Sequence, residues 1–214
     1  MTVYNDQISQ YIVDLFANHD PLLNHIWENS HRNGLPTISV KPEEGRFLQF
    51  LVRACNVKKA VEIGTLGGYS GVWIARGLPA DGKLITLEID PKHAEVARQH
   101  FIEAGLLDKI EIRLGNALQT LKNLSKEGPF DFVFIDADKP GYPAYMDWAI
   151  ENLRTGGVVA THNAFRKGSV VGLKEDDTYS DGMRAFNQRV AKDTRLLSTI
   201  FPAGDGMLIG VKNN

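Results

Sequence analysis

The chain of 214 residues contains a single cysteine, Cys55. A lone thiol excludes an internal disulfide and fits a reducing compartment, and the apolar neighbours of Cys55 predict that it is buried. Nor is there a block of like charge. The 24 Lys and Arg residues are set against 26 Asp and Glu, a formal net charge of −2, so nothing announces a nucleic-acid partner and a small molecule is the default ligand. No stretch approaches the roughly 18 consecutive apolar residues of a membrane-crossing helix. The opening Met-Thr-Val-Tyr-Asn-Asp-Gln has neither the basic start nor the apolar core of a signal peptide. Together these absences predict a soluble, cytoplasmic protein. Repeats and low-complexity segments are also missing, and 43% hydrophobic content is enough for one substantial core. The expected organisation is a single domain, residues 1–214, with helices in 1–56 framing a core in 57–214.

Apolar residues recur at helical spacing through residues 4–32, with an interruption at Asp20-Pro21, and Pro42 opens a third helix. From Lys59 strands and helices alternate. Strands are predicted at 59–63, 83–87, 110–114, 132–135 and 158–161, and helices at 69–76, 91–104, 117–124 and 142–153. Alternation of this kind implies a parallel sheet covered on both faces. The tail departs from it: residues 164–180 read as a polar loop long enough to cover a substrate, followed by a helix at 181–192 and two runs, 196–201 and 206–211, that flank Pro202-Ala-Gly-Asp205 as an antiparallel hairpin. The fold class is therefore α/β, Rossmann-like and doubly wound, with a mainly parallel seven-stranded sheet, a C-terminal antiparallel hairpin and extra N-terminal helices.

Ligands of open α/β sheets collect beyond the carboxyl ends of the strands. Those ends carry Glu62, Glu88, Asn116, Asp136 to Lys139, and His162-Asn163, more polar clustering than solubility requires. The first end is a glycine turn, Gly64-Thr-Leu-Gly-Gly68, leading into a helix whose first amides face whatever lies over the turn. A purely structural turn is the bland alternative. Glu88 follows Gly64 by 24 residues, near the roughly 20 of a βαβ nucleotide site, where a carboxylate can accept from a ribose diol. Leu66 stands where a dinucleotide fingerprint needs its second glycine, so a pyrophosphate is not the expected ligand. An open turn preceded by Glu62 suits a cofactor with an amino-acid tail and resembles motif I of the class I S-adenosylmethionine-dependent methyltransferases. The fourth strand ends in Asp136-Ala-Asp138-Lys139, two carboxylates and an amine. This is read as a metal and catalytic cluster, against the alternative of a capped turn with an ion pair.

Taken with Glu-Ile-Gly-Thr-x-x-Gly-Tyr-Ser, Phe-Ile-Asp-Ala-Asp-Lys, Gly-Gly-Val-Val-Ala-Thr-His-Asn, Ala-Phe-Asn and Pro-Ala-Gly-Asp-Gly-Met, in that order, the chain from about Ile38 onward resembles the cation-dependent O-methyltransferases that include the caffeoyl-CoA and catechol enzymes. The resemblance implies S-adenosylmethionine as cofactor, with Glu62, Gly64 and Ser70 around its methionine tail, Glu88 on the ribose, Ala117 at the adenine and Val40 against the cofactor through its own backbone. It also implies a divalent metal (Mn, Mg or another transition metal) on Asp136 and Asn163. Asp136 would serve the cofactor amine as well, Lys139 would be the acceptor's base or electrostatic partner, and Tyr145 a substrate wall or a core tyrosine. The implied partners are a small hydroxylated acceptor and a second copy of the chain in a homodimer. A hydroxylated tRNA base, or a binding protein with a decayed metal site, are the alternatives.

One departure stands out. His162-Asn163 replaces the family's usual Asp-Asn, exchanging a hard oxygen ligand for an imidazole. If His162 is a ligand the site favours Mn, Fe, Ni or Zn over Mg; if not, His162 can serve as a metal-free base. The other histidines, His19, His25, His31, His93 and His100, are expected to be surface or packing residues.

Overall fold

The computed structural model describes residues 4–17 and 20–214; His19 lies outside the described residues. Three helices come first: α1 (Asp6–Phe16), α2 (Pro21–Arg32) and α3 (Pro42–Ala54). Asn5 and Asp20 accept from amides in the first turns of α1 and α2, and Pro21 occupies the first helical position, where no N–H is needed. The alternating unit follows as β1 (Lys59–Ile63), α4 (Tyr69–Gly77), β2 (Lys83–Glu88), α5 (Pro91–Glu103), β3 (Ile110–Leu114), α6 (Ala117–Leu124), β4 (Phe130–Ile135), α7 (Tyr142–Asn152) and β5 (Leu153–Thr161). The chain closes with α8 (Ser180–Lys192), β6 (Leu196–Phe201) and β7 (Met207–Lys212).

The seven strands lie in the order β3-β2-β1-β4-β5-β7-β6. Pairings from β3 to β5 are parallel, and β7 enters antiparallel to both β5 and β6. Strand order reverses direction between β1 and β4, which opens a crevice at their carboxyl ends. Successive residues of β4 divide the core: Phe132 and Phe134 pack beneath α2, α3 and α4 with Leu48, Val52 and Trp73, while Val133 and Ile135 pack on the other face with Leu121, Tyr142 and Phe186. Both faces are covered, which is why the central strands read as unbroken apolar runs.

β5 begins at Leu153, five residues ahead of its expected start, because Leu153 pairs with Phe130 across an irregular register before the ladder becomes regular at Phe132 and Val158. The Gly156-Gly157 pair falls inside this strand. The expected loop at 164–180 contains a tight turn, Arg166–Val171, in which Arg166 and Lys167 hold φ of 48° and 54°. Cys55 is half-buried, a correction to the expected burial, since it caps the end of α3 at the molecular edge. Among the described residues no helix is long and apolar enough to cross a membrane.

Candidate active site

A cleft of about 770 Å³ opens over the carboxyl ends of β1, β2, β4 and β5. On one side it is built by backbone. The β1–α4 turn starts at Gly64, whose φ of +101° and close approach to the next strand admit no side chain: a Cβ would lie 2.1 Å from the Asp136 carbonyl. Ile63 accepts from the Asp136 amide (2.9 Å), and Leu87 from the Gly64 amide (3.0 Å), so three strand ends are tied at one level. Glu88 then gathers the surrounding loops. One of its oxygens accepts from the Thr65 and Leu66 amides (3.2 and 2.8 Å), the other from Ile89 and Asp90 (2.9 and 3.0 Å). Glu88 therefore shapes the turn as well as facing the cleft, and a ribose diol has to share its lone pairs with these amides.

Gly64, Ser70, Ala117 and Val40 line the cleft with Glu88 and Asp136. Glu62 does not. It is fully buried, and it accepts hydroxyl protons from Ser70 and Thr86, each at 2.6 Å, so it reaches the cleft only by holding Ser70. Burial outweighs these two bonds and raises its carboxyl to about 7. His100 supports the same turn from behind: it is buried and contacts the Gly67 carbonyl (2.7 Å) and the Asn29 amide (2.9 Å), with burial depressing its basicity. His93 differs from its expected role. Asp90 caps α5 and sets its phase, so the His93 ring lines the cleft 3.6 Å from Glu88.

On the other side side chains build the site. Lys139 Nζ sits 3.3 Å from Asp136 and donates to the Tyr142 hydroxyl at 2.6 Å. Burial lowers the Lys139 pKa from its ordinary value, with Asp136 opposing. Asp138 plays the turn-capping part: it accepts from the Gly141 amide (3.0 Å) and from the Tyr145 hydroxyl (2.6 Å). Tyr145 is buried yet lines the cleft, so it is a wall held by Asp138.

His162 is 4% exposed and does not line the cleft. Its Nδ1 lies 3.0 Å from Asp136 and its Nε2 3.1 Å from Glu44. Burial alone would depress its pKa, but the charge and hydrogen bond of Asp136, joined by Glu44, push it up to about 10. In return His162 and Lys139 hold the Asp136 carboxyl below its ordinary range against the burial that would raise it. Glu44, in the first turn of α3, was not singled out in the sequence. It also accepts from the Lys41 amide (2.8 Å) and from the Asp205 amide (3.2 Å). Asp205, in the β6–β7 turn, accepts in turn from the Asn163 side-chain amide (2.9 Å).

A divalent metal needs lone pairs that converge. Of the three expected ligands, Asp136 faces two cations and His162 has both nitrogens turned to carboxylates; only Asn163, which donates its amide nitrogen to Asp205, keeps its oxygen for an ion. Among the described residues no group of three or more His, Cys, Asp or Glu side chains is arranged to hold a metal. The donor set does not fit the metal ion.

Residues 13–213 match the O-methyltransferase family model. The catechol O-methyltransferase of Niastella koreensis is 41% identical over 209 residues, 97% of this chain and 92% of that one. The caffeoyl-CoA O-methyltransferase of Eucalyptus gunnii is 32% identical over 216 residues, 96% of this chain and 87% of its relative. The O-methyltransferase from Bacillus cereus in complex with SAH superposes with a TM-score of 0.89 at 37% identity, covering 97% of each chain. The glycine turn, the acidic end of β2 and the sheet order agree with these likenesses, and the chain belongs to the class I S-adenosylmethionine-dependent O-methyltransferase family.

Proposed function

We propose that the chain methylates a hydroxyl of a small aromatic acceptor, catechol-like or CoA-linked, using S-adenosylmethionine. The observation that carries this reading is Lys139, a half-buried amine of lowered basicity that lines the cleft beside Asp136. When bound, the cofactor supplies a methyl group on a positively charged sulfur, displaced in line with its electron pair staying on sulfur. Gly64, Ser70 and Asp136 would hold its amino-acid end, Glu88 its ribose and Val40 the cofactor through its backbone, and the exposed apolar side chains Ile89 and Leu118 would flank the adenine near Ala117. Lys139 would receive the proton of the acceptor hydroxyl or hold the resulting oxyanion by charge. Once cofactor and acceptor fill the cleft, its walls, Tyr145 among them, would keep water from the reacting groups, which favours a step in which opposite charges disappear. No step in this reading passes through a metal ion, because Asp136 and His162 are engaged with each other and with Lys139 and Glu44.

The test is a methyl-transfer assay over catechols and CoA thioesters, with bulk tRNA as counter-substrate. Transfer to a phenolic hydroxyl is expected; transfer only to tRNA, or to none of them, would overturn it. The homodimer implied by the resemblance is part of the same proposal. It is supported by Tyr11, Leu15 and Phe16 exposed on α1, and a monomer mass by light scattering at micromolar concentration would refute it.

A further inference from the structure

The side chains at the end of β5 do more than fail to suit a metal: they already supply a positive charge at that place. Both ring nitrogens of His162 face carboxylate oxygens, at 3.0 Å from Asp136 and 3.1 Å from Glu44. With a carboxylate oxygen facing each nitrogen, the geometry is that of a ring that donates on both sides and keeps no lone pair for a metal. Glu44 cannot readily swing aside, since it is 1% exposed and anchored by the Lys41 and Asp205 amides. On the opposite side, Asp136 is bounded by Lys139 at 3.3 Å. Asn163 is fixed separately, in the left-handed region at φ 60° and bonded to Asp205.

We propose that the His162 ring stands in for a divalent cation: clamped between Glu44 and Asp136, it fixes Asp136 beside Lys139 so that methyl transfer by this chain needs no metal. This rests on the O-methyl transfer reading above. His162 is a positioning residue, since it reaches the cleft only through Asp136. The charge balance gives the idea a converse. An aspartate at position 162 would exchange a positive group for a negative one, a change of two charges, which is what a divalent cation supplies. The His162→Asp chain should therefore recruit a metal that the natural chain does not.

The experiment uses the full chain in three measurements. Transfer to catechol is assayed before and after exhaustive chelation; Mn binding is followed by calorimetry; and the ring nitrogens of His162 are observed by ¹⁵N NMR. Chelation is expected to change the rate by less than about twofold, where an enzyme that needs its metal would lose transfer altogether. The natural chain should bind no Mn, and both nitrogens should carry protons at neutral pH. His162→Asp should bind Mn and become sensitive to chelator, with Mn or Mg restoring it. Loss of natural activity on chelation with recovery on Mn or Mg would overturn the proposal, as would a singly protonated ring that takes up Mn, or a folded His162→Asp chain that takes up none. If no acceptor is methylated under any condition, the functional reading fails. The calorimetry and NMR on the natural chain still decide this inference, as they do if the variant does not fold.

Discussion

The two halves of the cleft are made of different material. Beside β1 and β2 the groups that count are peptide units: Gly64 brings backbone against backbone, and Glu88 is held by four main-chain amides. Beside β4 and β5 they are side chains that satisfy one another, Lys139 with Asp136 and Tyr142, and His162 with Asp136 and Glu44. A surface of peptide units keeps its shape under many side-chain changes, because each polar partner comes from the fold. A surface of paired side chains depends on every member, and removing one leaves another buried and unpaired. The first arrangement suits a fixed cofactor and the second suits chemistry that must move a proton.

Substitutions can break this contrast, and the largest effect is expected at Lys139. Lys139→Met should lower kcat by roughly 10²- to 10⁴-fold while cofactor affinity in calorimetry holds within about threefold. A parallel loss of cofactor binding would mean that the halves are not separable. Next in size is Glu88→Gln. One oxygen becomes an amide group facing main-chain donors, so the dissociation constant for S-adenosylmethionine should rise by roughly 10- to 100-fold, the equivalent of about 1.5–3 kcal/mol. Thermal stability should fall as well, because four loop amides lose part of their acceptor; unchanged cofactor affinity would remove Glu88 from the cofactor site.

Gly64→Ala tests the seam between the halves. Its Cβ would meet the Asp136 carbonyl, so the turn has to move, at a cost of roughly 1–3 kcal/mol read as a drop in Tm. Both cofactor affinity and turnover should suffer, and a variant with normal stability would show that the turn has room the structure does not give it.

The most local test, small at any one pH step, is pH. His162 has its folded pKa raised to about 10, so the stability it contributes is fully present below its unfolded value of about 6.5 and is lost as pH rises through about 10. Between those limits the stability of the natural chain, from urea titrations, should fall more steeply than that of His162→Gln, by at most roughly 1.4 kcal/mol per pH unit. Equal slopes would mean that the ring is not held as a cation.

The same contrast explains what could be read from the sequence. The β1–α4–β2 segment is local: the glycine turn, the helix after it and the acidic strand end fall within 30 residues, and Gly64, Ser70 and Glu88 all reach the cleft. Asp136 and Lys139 were legible for the same reason, three positions apart at one strand end. Glu44 was not, because as the second of two acidic residues at a helix start it looks like an ordinary favourable charge at the helix N-terminus, and nothing local links it to a histidine 118 positions away. His162 was noticed for its identity, but its part follows only from two partners on other elements. Glu62 was expected around the methionine tail from its place at the strand end, but alternation along β1 turns its side chain inward to Ser70 and Thr86, which its position in the sequence does not report. His93 became a cleft residue through the phase set by the Asp90 cap, which composition does not report.

The Glu44 junction also sets an order of assembly. It joins α3 to the end of β5 and, across 161 positions, to the β6–β7 turn. Contacts so distant along the chain form only after the entropy of closing a very large loop has been met, so they come late in folding. The glycine turn and the acidic end of β2 belong to one local βαβ unit, joined only to β4 beyond it, and their contacts close much shorter loops. During synthesis, the cradle around Gly64 and Glu88 can take shape while the final hairpin is still unmade, whereas the charged cluster on which chemistry depends is completed only when Asp205 arrives. A chain stopped before β6 would lack both the β7 partner of β5 and the junction that sets its reactive groups.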